Sequence, residues 1–193
     1  MQYQEAHDSL DERWNLLLMR AGILPILVAN HTETASALWQ TLKPAGVILT
    51  GGGEFSLRDN DVRSRTEEQL VELAKQHNKP LLGICRGMQV LQQLNGEKLI
   101  KLEGHVDPNQ EVLVNGCSIP LNSYHNYGAK QVEMPFKAWA ISHDGVIKAI
   151  ESREAKQIGI MWHPERIEPF SSRNIEFLNR LFVKQEYPCA HLY

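Results

Sequence analysis

Apolar positions follow one rhythm in the first half of the chain and another in the second. Leu10, Trp14, Leu17 and Leu18 recur at helical spacing, and Gly22 follows as a stop. A short apolar run, Pro25 to Asn30, leads to a second helix over about Thr34 to Leu42. Ala45 to Thr50 (AGVILT) is a continuous apolar run, the pattern of a strand buried on both faces, and three glycines end it. A third helix, over about Ser64 to His77, sets Leu70, Leu73 and Ala74 on one face. PLLGI (Pro80 to Ile84) is another buried strand, and CRGMQVLQQL (Cys85 to Leu94) is a helix. Strands and helices in alternation predict a parallel sheet covered on both faces.

After Gly96 the pattern turns strand-like: KLIKL, EVLVNGCSIPL, KAWAISHDGVIKAIES and KQIGIMWHPE. Asn115-Gly116 and Asp144-Gly145 are hairpin turn signals. A last helix runs from about Ser172 to Lys184, with Ile175, Leu178, Leu181 and Phe182 on its buried face, and the tail QEYPCAHLY is expected to be loosely held. The predicted fold class is α/β: a mostly parallel open sheet with helices on both faces, plus small antiparallel strands near the C-terminus. Without a repeat, low-complexity tract or linker, residues 1–193 predict one domain. A doubly wound sheet usually begins with a strand, whereas this chain opens almost directly into a helix.

Composition narrows the partners. Hydrophobic residues make up 42% and charged residues 22%, ordinary for a globular protein. A net charge of -3 gives no reason to expect nucleic acid or an anionic membrane. No apolar run is long enough to span a bilayer, and the polar, acidic start MQYQEAHDSLDERW is not a secretory signal. Cys85, Cys117 and Cys189 do not form a disulfide framework, so a reducing cytoplasm is the simplest compartment.

The chemistry concentrates at Gly83-Ile84-Cys85-Arg86-Gly87. G-x-C-x-G at a strand-to-helix junction is the sulfur version of the nucleophile elbow, with Cys85 lifted above the strand end. The following helix aims free N–H groups and its positive dipole end at the sulfur, which favours the thiolate. An isolated buried Cys would more often be a small hydrophobe. The glycines and the strand before it favour the nucleophile. His163-Pro164-Glu165 supplies a base with its orienter: in extended backbone, residues two apart share a side, so Glu165 reaches the His163 ring. H-P-E alone is a weak signal and gains its weight from the cysteine motif.

Gly51-Gly52-Gly53 reads either as a plain tight turn or as a donor loop. In the second reading an amide of Gly52 or Gly53, with that of Arg86, binds the negative oxygen of a tetrahedral intermediate. Both loop and cysteine lie at strand carboxyl ends, where open α/β sheets bind ligands. The cluster Asn122-Ser123-Tyr124-His125-Asn126 reads by default as a solvated loop, and Arg58, Arg63 and Arg65 as a solvated face. His105, His125, His143 and His163 lack metal-ligand spacing, so neither a metal site nor a cofactor is expected.

LTGGGE, KPLLGICRGMQVLQQLNGEKL, NSYHN and MWHPER together resemble the class I glutamine amidotransferases and their stand-alone relatives, the γ-glutamyl hydrolases. The resemblance spans nearly the whole chain. It implies a flavodoxin-like fold, a Cys85–His163–Glu165 triad and attack on a γ-glutamyl amide through a thioester. It also implies that Gln89 contacts the glutamyl group, while Ser123, Tyr124 and His125 close over its amino and carboxylate groups. Gln89 lies four residues after Cys85, on the same helix face. GICRGMQ, NSYHN and DGVIKAIE look like the γ-glutamyl-γ-aminobutyrate hydrolase group. YQEAHDSLDERW and MWHPER look closer to the γ-glutamyl-CDP-amidate hydrolases, where Arg86 and Arg166 would help with a phosphate. The chain departs from the pattern in lacking the first strand and in having Arg63-Ser64 where relatives have Arg-Asp. A glutaminase that passes ammonia to a separate synthase partner stays open as an alternative. A non-catalytic sensor on the same fold is a third reading, against which the complete triad argues.

Overall fold

The computed structural model describes residue 5, residues 7–55 and residues 61–187. Arg58 and Cys189 lie outside the described residues. Five α-helices are seen among the described residues: α1 (Arg13–Arg20), α2 (Thr32–Leu42), α3 (Val62–Gln76), α4 (Arg86–Leu94) and α5 (Ser172–Leu178). The strands are β1 (Val47–Leu49), β2 (Leu81–Ile84), β3 (Ile100–Lys101), β4 (Val106–Val114), β5 (Cys117–Tyr124), β6 (Tyr127–Gly128), β7 (Lys137–Ser142), β8 (Ile147–Ser152) and β9 (Gln157–Ile160).

Seven strands form one sheet in the order β1-β2-β9-β8-β7-β4-β5, and β3 pairs with β6 in a small antiparallel ribbon. β1, β2 and β9 run parallel, in register at Leu49↔Gly83 and Gly83↔Gly159. From β9 outward every pairing is antiparallel. The fold class is therefore the expected α/β sheet with helices around it. The antiparallel strands continue the main sheet, because β8 finds its partner in β9.

Strand type follows burial. All four residues of both β2 and β9 are buried, as parallel strands covered on both faces require. Leu81, Leu82, Ile84, Ile158 and Ile160 are buried to 2% exposure or less. Each contributes about 1.5–3 kcal/mol relative to an exposed position. α4 packs on β1, β2 and β9, while α3 packs on β1, α2 and α4.

The start and the end of the chain hold the differences. No strand precedes α1 among the described residues, and residues 23–29 are irregular. Leu24 in that stretch is 75% exposed, and β1 is left as the sheet's edge. The last helix gives way to a π-helical turn, Asn179–Val183. Part of the tail is docked: the Tyr187 hydroxyl donates to the Gln157 carbonyl at 3.1 Å.

Candidate active site

Three segments converge at the carboxyl ends of the parallel strands. The first is the turn from β2 into α4. Cys85 sits there with φ 51° and ψ -102°, and its amide donates to the Ile160 carbonyl at 2.7 Å. A positive φ at a non-glycine residue is strained and marks a sharp elbow. The flanking glycines allow it. A Cβ on Gly83 would lie 2.5 Å from the Gly87 backbone, and one on Gly87 would run into the Leu49 carbonyl. Cys85 is a free, buried thiol at the start of α4.

The second segment follows β9. Asn122, from β5, clamps the backbone of His163: its side chain accepts from the His163 amide at 2.7 Å and donates to the His163 carbonyl at 2.9 Å. Glu165 Oε1 lies 2.7 Å from His163 Nδ1. A carboxylate only accepts, so Nδ1 carries the proton and Nε2 is free for the thiol. His163 and Glu165 are 2% and 1% exposed. The extended backbone expected between them is not there. Pro164–Arg166 forms a 3-10 turn, and it is this turn that brings the carboxylate back beneath the ring. Burial pushes the His163 pKa down, but hydrogen bonds to Cys85 and Glu165 outweigh it and carry the pKa up to about 9.

The third segment is the glycine loop after β1. A Cβ on Gly51 would lie 2.7 Å from His163 Cε1 and 3.5 Å from Cys85 Cβ, which places the loop against both side chains. Gly52 and Gly53 have φ of 93° and 72°. Arg63 fixes the loop from behind, donating to the carbonyls of Thr50 (2.9 Å), Gly51 (3.0 Å) and Gly52 (2.8 Å). Three carbonyls of the loop are thus turned to Arg63, and Arg86 is the first residue of α4.

Arg63 is thus no solvated cation. Glu67 binds its Nε at 2.9 Å and also pairs with Arg86 at 2.9 Å. Arg86 is 2% exposed and donates further to Ser64 Oγ at 3.0 Å, to Asp61 at 3.3 Å and to the Glu54 carbonyl. The Arg63–Glu67–Arg86 chain ties the glycine loop to the turn that carries Cys85. It also occupies the Arg86 guanidinium, which sequence reading set aside for phosphate. Arg166 remains beside the triad: its side chain is 35% exposed, 3.6 Å from Glu165 and stacked over the Tyr124 ring at 5.1 Å.

The proposed glutamyl contacts fall into two groups. Tyr124 lies beside the site, its ring 5.9 Å from that of His163, while Gln89, on α4 four residues after Cys85, is buried and donates to the Tyr127 carbonyl at 2.8 Å. Ser123 and His125 belong to an internal network. Ser123 Oγ donates to the His105 carbonyl at 2.8 Å, and His125 Nδ1 to the Tyr127 carbonyl at 2.9 Å. Asn122, Ser123 and Tyr124 of NSYHN are thus the end of β5; Asn122, Ser123 and His125 are buried, while Tyr124 and Asn126 are exposed. Sequence reading missed Asn122 as a clamp, Arg63 and Glu67 as a brace, and buried Lys148. Only the apolar context of β8 could have flagged Lys148, as a charge in a strand of buried residues.

The family model "Glutamine amidotransferase class-I" matches residues 4–183. The chain belongs to this family. It is 30% identical over 140 residues to the γ-glutamyl-CDP-amidate hydrolase of Campylobacter jejuni, covering 70% of this chain and 68% of that one. It is also 30% identical over 154 residues to the glutamine-hydrolysing GMP synthase of Bacillus subtilis, covering 70% of this chain and 27% of that one. A solved structure of a Thermoplasma acidophilum protein, named for one of the GMP synthase subunits, superposes with a TM-score of 0.70 at 19% identity, over 93% of this chain and 89% of that one.

Proposed function

We propose that the protein is a cysteine-dependent hydrolase of γ-glutamyl amides. The observation that carries this is the junction of Cys85, on its strained elbow, with a buried His163 held by Glu165 at 2.7 Å. Cys85 Sγ attacks the γ-carbonyl carbon with the thiol proton held by His163, whose pKa is raised to about 9. The Gly52, Gly53 and Arg86 amides bind the resulting oxyanion. The C–N bond then breaks, the leaving nitrogen takes the proton from His163, and a γ-glutamyl thioester remains. Water, deprotonated by His163, attacks the thioester. Glutamate leaves, and the proton returns to the cysteine sulfur.

The likeness to γ-glutamyl-CDP-amidate hydrolase supports an amine half larger than ammonia. Arg166, partly exposed beside the triad, is a cation that an anionic leaving portion would meet. The likeness to GMP synthase favours a second reading, a glutaminase that supplies ammonia to a separate synthase. The two separate on kcat/KM for γ-glutamyl-CDP-amidate, γ-glutamyl-γ-aminobutyrate and glutamine. A γ-glutamyl compound with a substantial leaving group is expected to lead. Glutamine as the best of the three, with activity rising on addition of a synthase, would put the ammonia-supplying reading in front.

A further inference from the structure

Arg166 lies beside the candidate triad with its donors unspent. The other arginines of the site are occupied: Arg63 by three loop carbonyls and Glu67, Arg86 by Glu67, Ser64, Asp61 and the Glu54 carbonyl. The Arg166 side chain is 35% exposed, and its Nε is 3.6 Å from Glu165 Oε1, an ion pair beyond hydrogen-bond length. That oxygen already accepts from His163 Nδ1 at 2.7 Å. α1 packs against the Pro164–Arg166 turn, but Asp11, just before α1, is taken up by Arg13, whose Nε donates to it at 3.0 Å. Among the described residues, the Arg166 guanidinium thus has no hydrogen-bonded acceptor.

An aromatic ring holds it in place. The guanidinium carbon lies 5.1 Å from the centre of the Tyr124 ring, within cation–π range. Tyr124 ends β5, and its ring centre is 5.9 Å from that of His163. A guanidinium stacked on a ring is fixed in orientation while its edge N–H groups stay free. The pair is a half-exposed platform that begins next to the general base and ends in a cation.

Proton transfer decides which half of the substrate meets this platform. His163 hands its proton to the leaving nitrogen, so that nitrogen lies within hydrogen-bond reach of the ring. Whatever extends outward from it passes the groups beside His163. The resemblance set Tyr124 against the glutamyl half, whereas its ring carries Arg166, a cation suited to an anion on the other half.

We propose that Tyr124 and Arg166 form the wall that selects the leaving half. Arg166 binds a carboxylate or phosphate a few bonds beyond the leaving nitrogen, and Tyr124 is the positioning residue that holds the guanidinium there. Paired N–H groups of a guanidinium match either anion. This inference rests on the hydrolase reading and narrows it to amines that carry a negative charge.

The test compares kcat/KM for three γ-glutamyl amides of similar length: the neutral n-butylamide, γ-glutamyl-γ-aminobutyrate with a carboxylate, and γ-glutamyl-O-phosphoethanolamine with a phosphate. At least one anion is expected to lead the neutral compound by about tenfold or more, the worth of one charge-assisted contact, and the larger preference says which anion is taken. In Arg166→Gln that preference should disappear, and in Arg166→Lys part of it should return. Tyr124→Phe should keep it, while Tyr124→Leu should lower it mainly through KM. An arginine that only steadies Glu165 would lower all three rates alike in Arg166→Gln. That result, or no preference in the unchanged protein, overturns the proposal. An equal loss on all three substrates in Tyr124→Leu overturns the part given to Tyr124. Protection of Cys85 from iodoacetamide by the same compounds reads binding without turnover. Stronger protection by an anion, abolished in Arg166→Gln, with none of the three hydrolysed, would remove the hydrolase reading and keep the wall. Hydrolysis with equal protection by all three would remove the wall and keep the reading.

Discussion

At the scale of single residues, the candidate triad is an arrangement in which each group fixes the next. Glu165 sets the proton on His163 Nδ1, and the elbow at Cys85 presents the thiol to Nε2. Cys85→Ala removes the nucleophile and little volume, so hydrolysis should vanish while the melting temperature stays near that of the unchanged protein. His163→Ala should lower kcat by about a thousandfold or more, since general-base catalysis is worth roughly that much. Glu165→Gln should cost less. Its amide still holds the ring, though it can select the wrong tautomer. Pre-steady-state measurement of the acylation step checks the order, and equal losses in the two variants would contradict the roles assigned here.

At the scale of elements, what was legible in the sequence was what is contiguous. G-x-C-x-G announces the elbow because the strand, the turn and the helix start are adjacent in the chain, and the close approach of Gly83 to Gly87 is a local requirement. H-P-E announces the pair, although the 3-10 turn that joins it could not be read from alternation. Asn122, Arg63 and Lys148 were not legible, because each acts across a distance in sequence: 41 residues separate Asn122 from His163, and 43 separate Lys148 from His105. Arg63 read as one of several surface cations because nothing local shows that α3 carries it to the back of the glycine loop. It makes the loop's conformation a property of the helix. Arg63→Leu should therefore lower kcat about tenfold, as loop amides drift from the oxyanion position. The stability loss should be only about 1 kcal/mol, because the freed carbonyls are close enough to solvent to be rehydrated. Steady-state kinetics with a urea titration tests this. A stability loss of several kcal/mol with unchanged kcat would make Arg63 a purely structural residue.

At the scale of the whole molecule, one sheet joins two kinds of pairing, and the site lies at their seam. The parallel strands β2 and β9 deliver Cys85 and His163. The antiparallel strands β5 and β8 deliver Asn122, His125 and Lys148. The parallel half was legible from its unbroken apolar runs; the position of the antiparallel strands in the same sheet was not, since it depends on β8 pairing with β9. The seam buries several titratable groups together, so the stability of the fold should depend on pH in a defined way. Burial and the Lys148 charge hold the His125 pKa at about 3 in the folded chain against an ordinary 6.5. Between those values the unfolded chain binds the extra proton, so its contribution is full above about 6.5 and is lost as pH falls. His163 has the opposite shift, from 6.5 to about 9, so its contribution is full below about 6.5 and is lost as pH rises through 9. Lys148, lowered from 10.5 to about 8, regains stability above 8 as its buried charge disappears, and this offsets the His163 loss there. These three groups should therefore give a maximum near pH 6.5, a fall toward pH 8 and a level stretch from there to about pH 9, where the two opposed changes cancel. Asp11 and Asp144, both held at about 2, act only below the ordinary carboxylate value of 3.8. Glu97, pushed by burial above its ordinary 4.5, acts in the opposite sense just above that value, so the rising limb between about pH 4 and about pH 6 belongs to His125. Urea midpoints measured across that range should rise with pH in the unchanged protein and rise less in His125→Gln, which keeps a donor and an acceptor but takes up no proton. An acid limb of the same slope in both proteins would show that His125 does not carry the buried titration assigned to it.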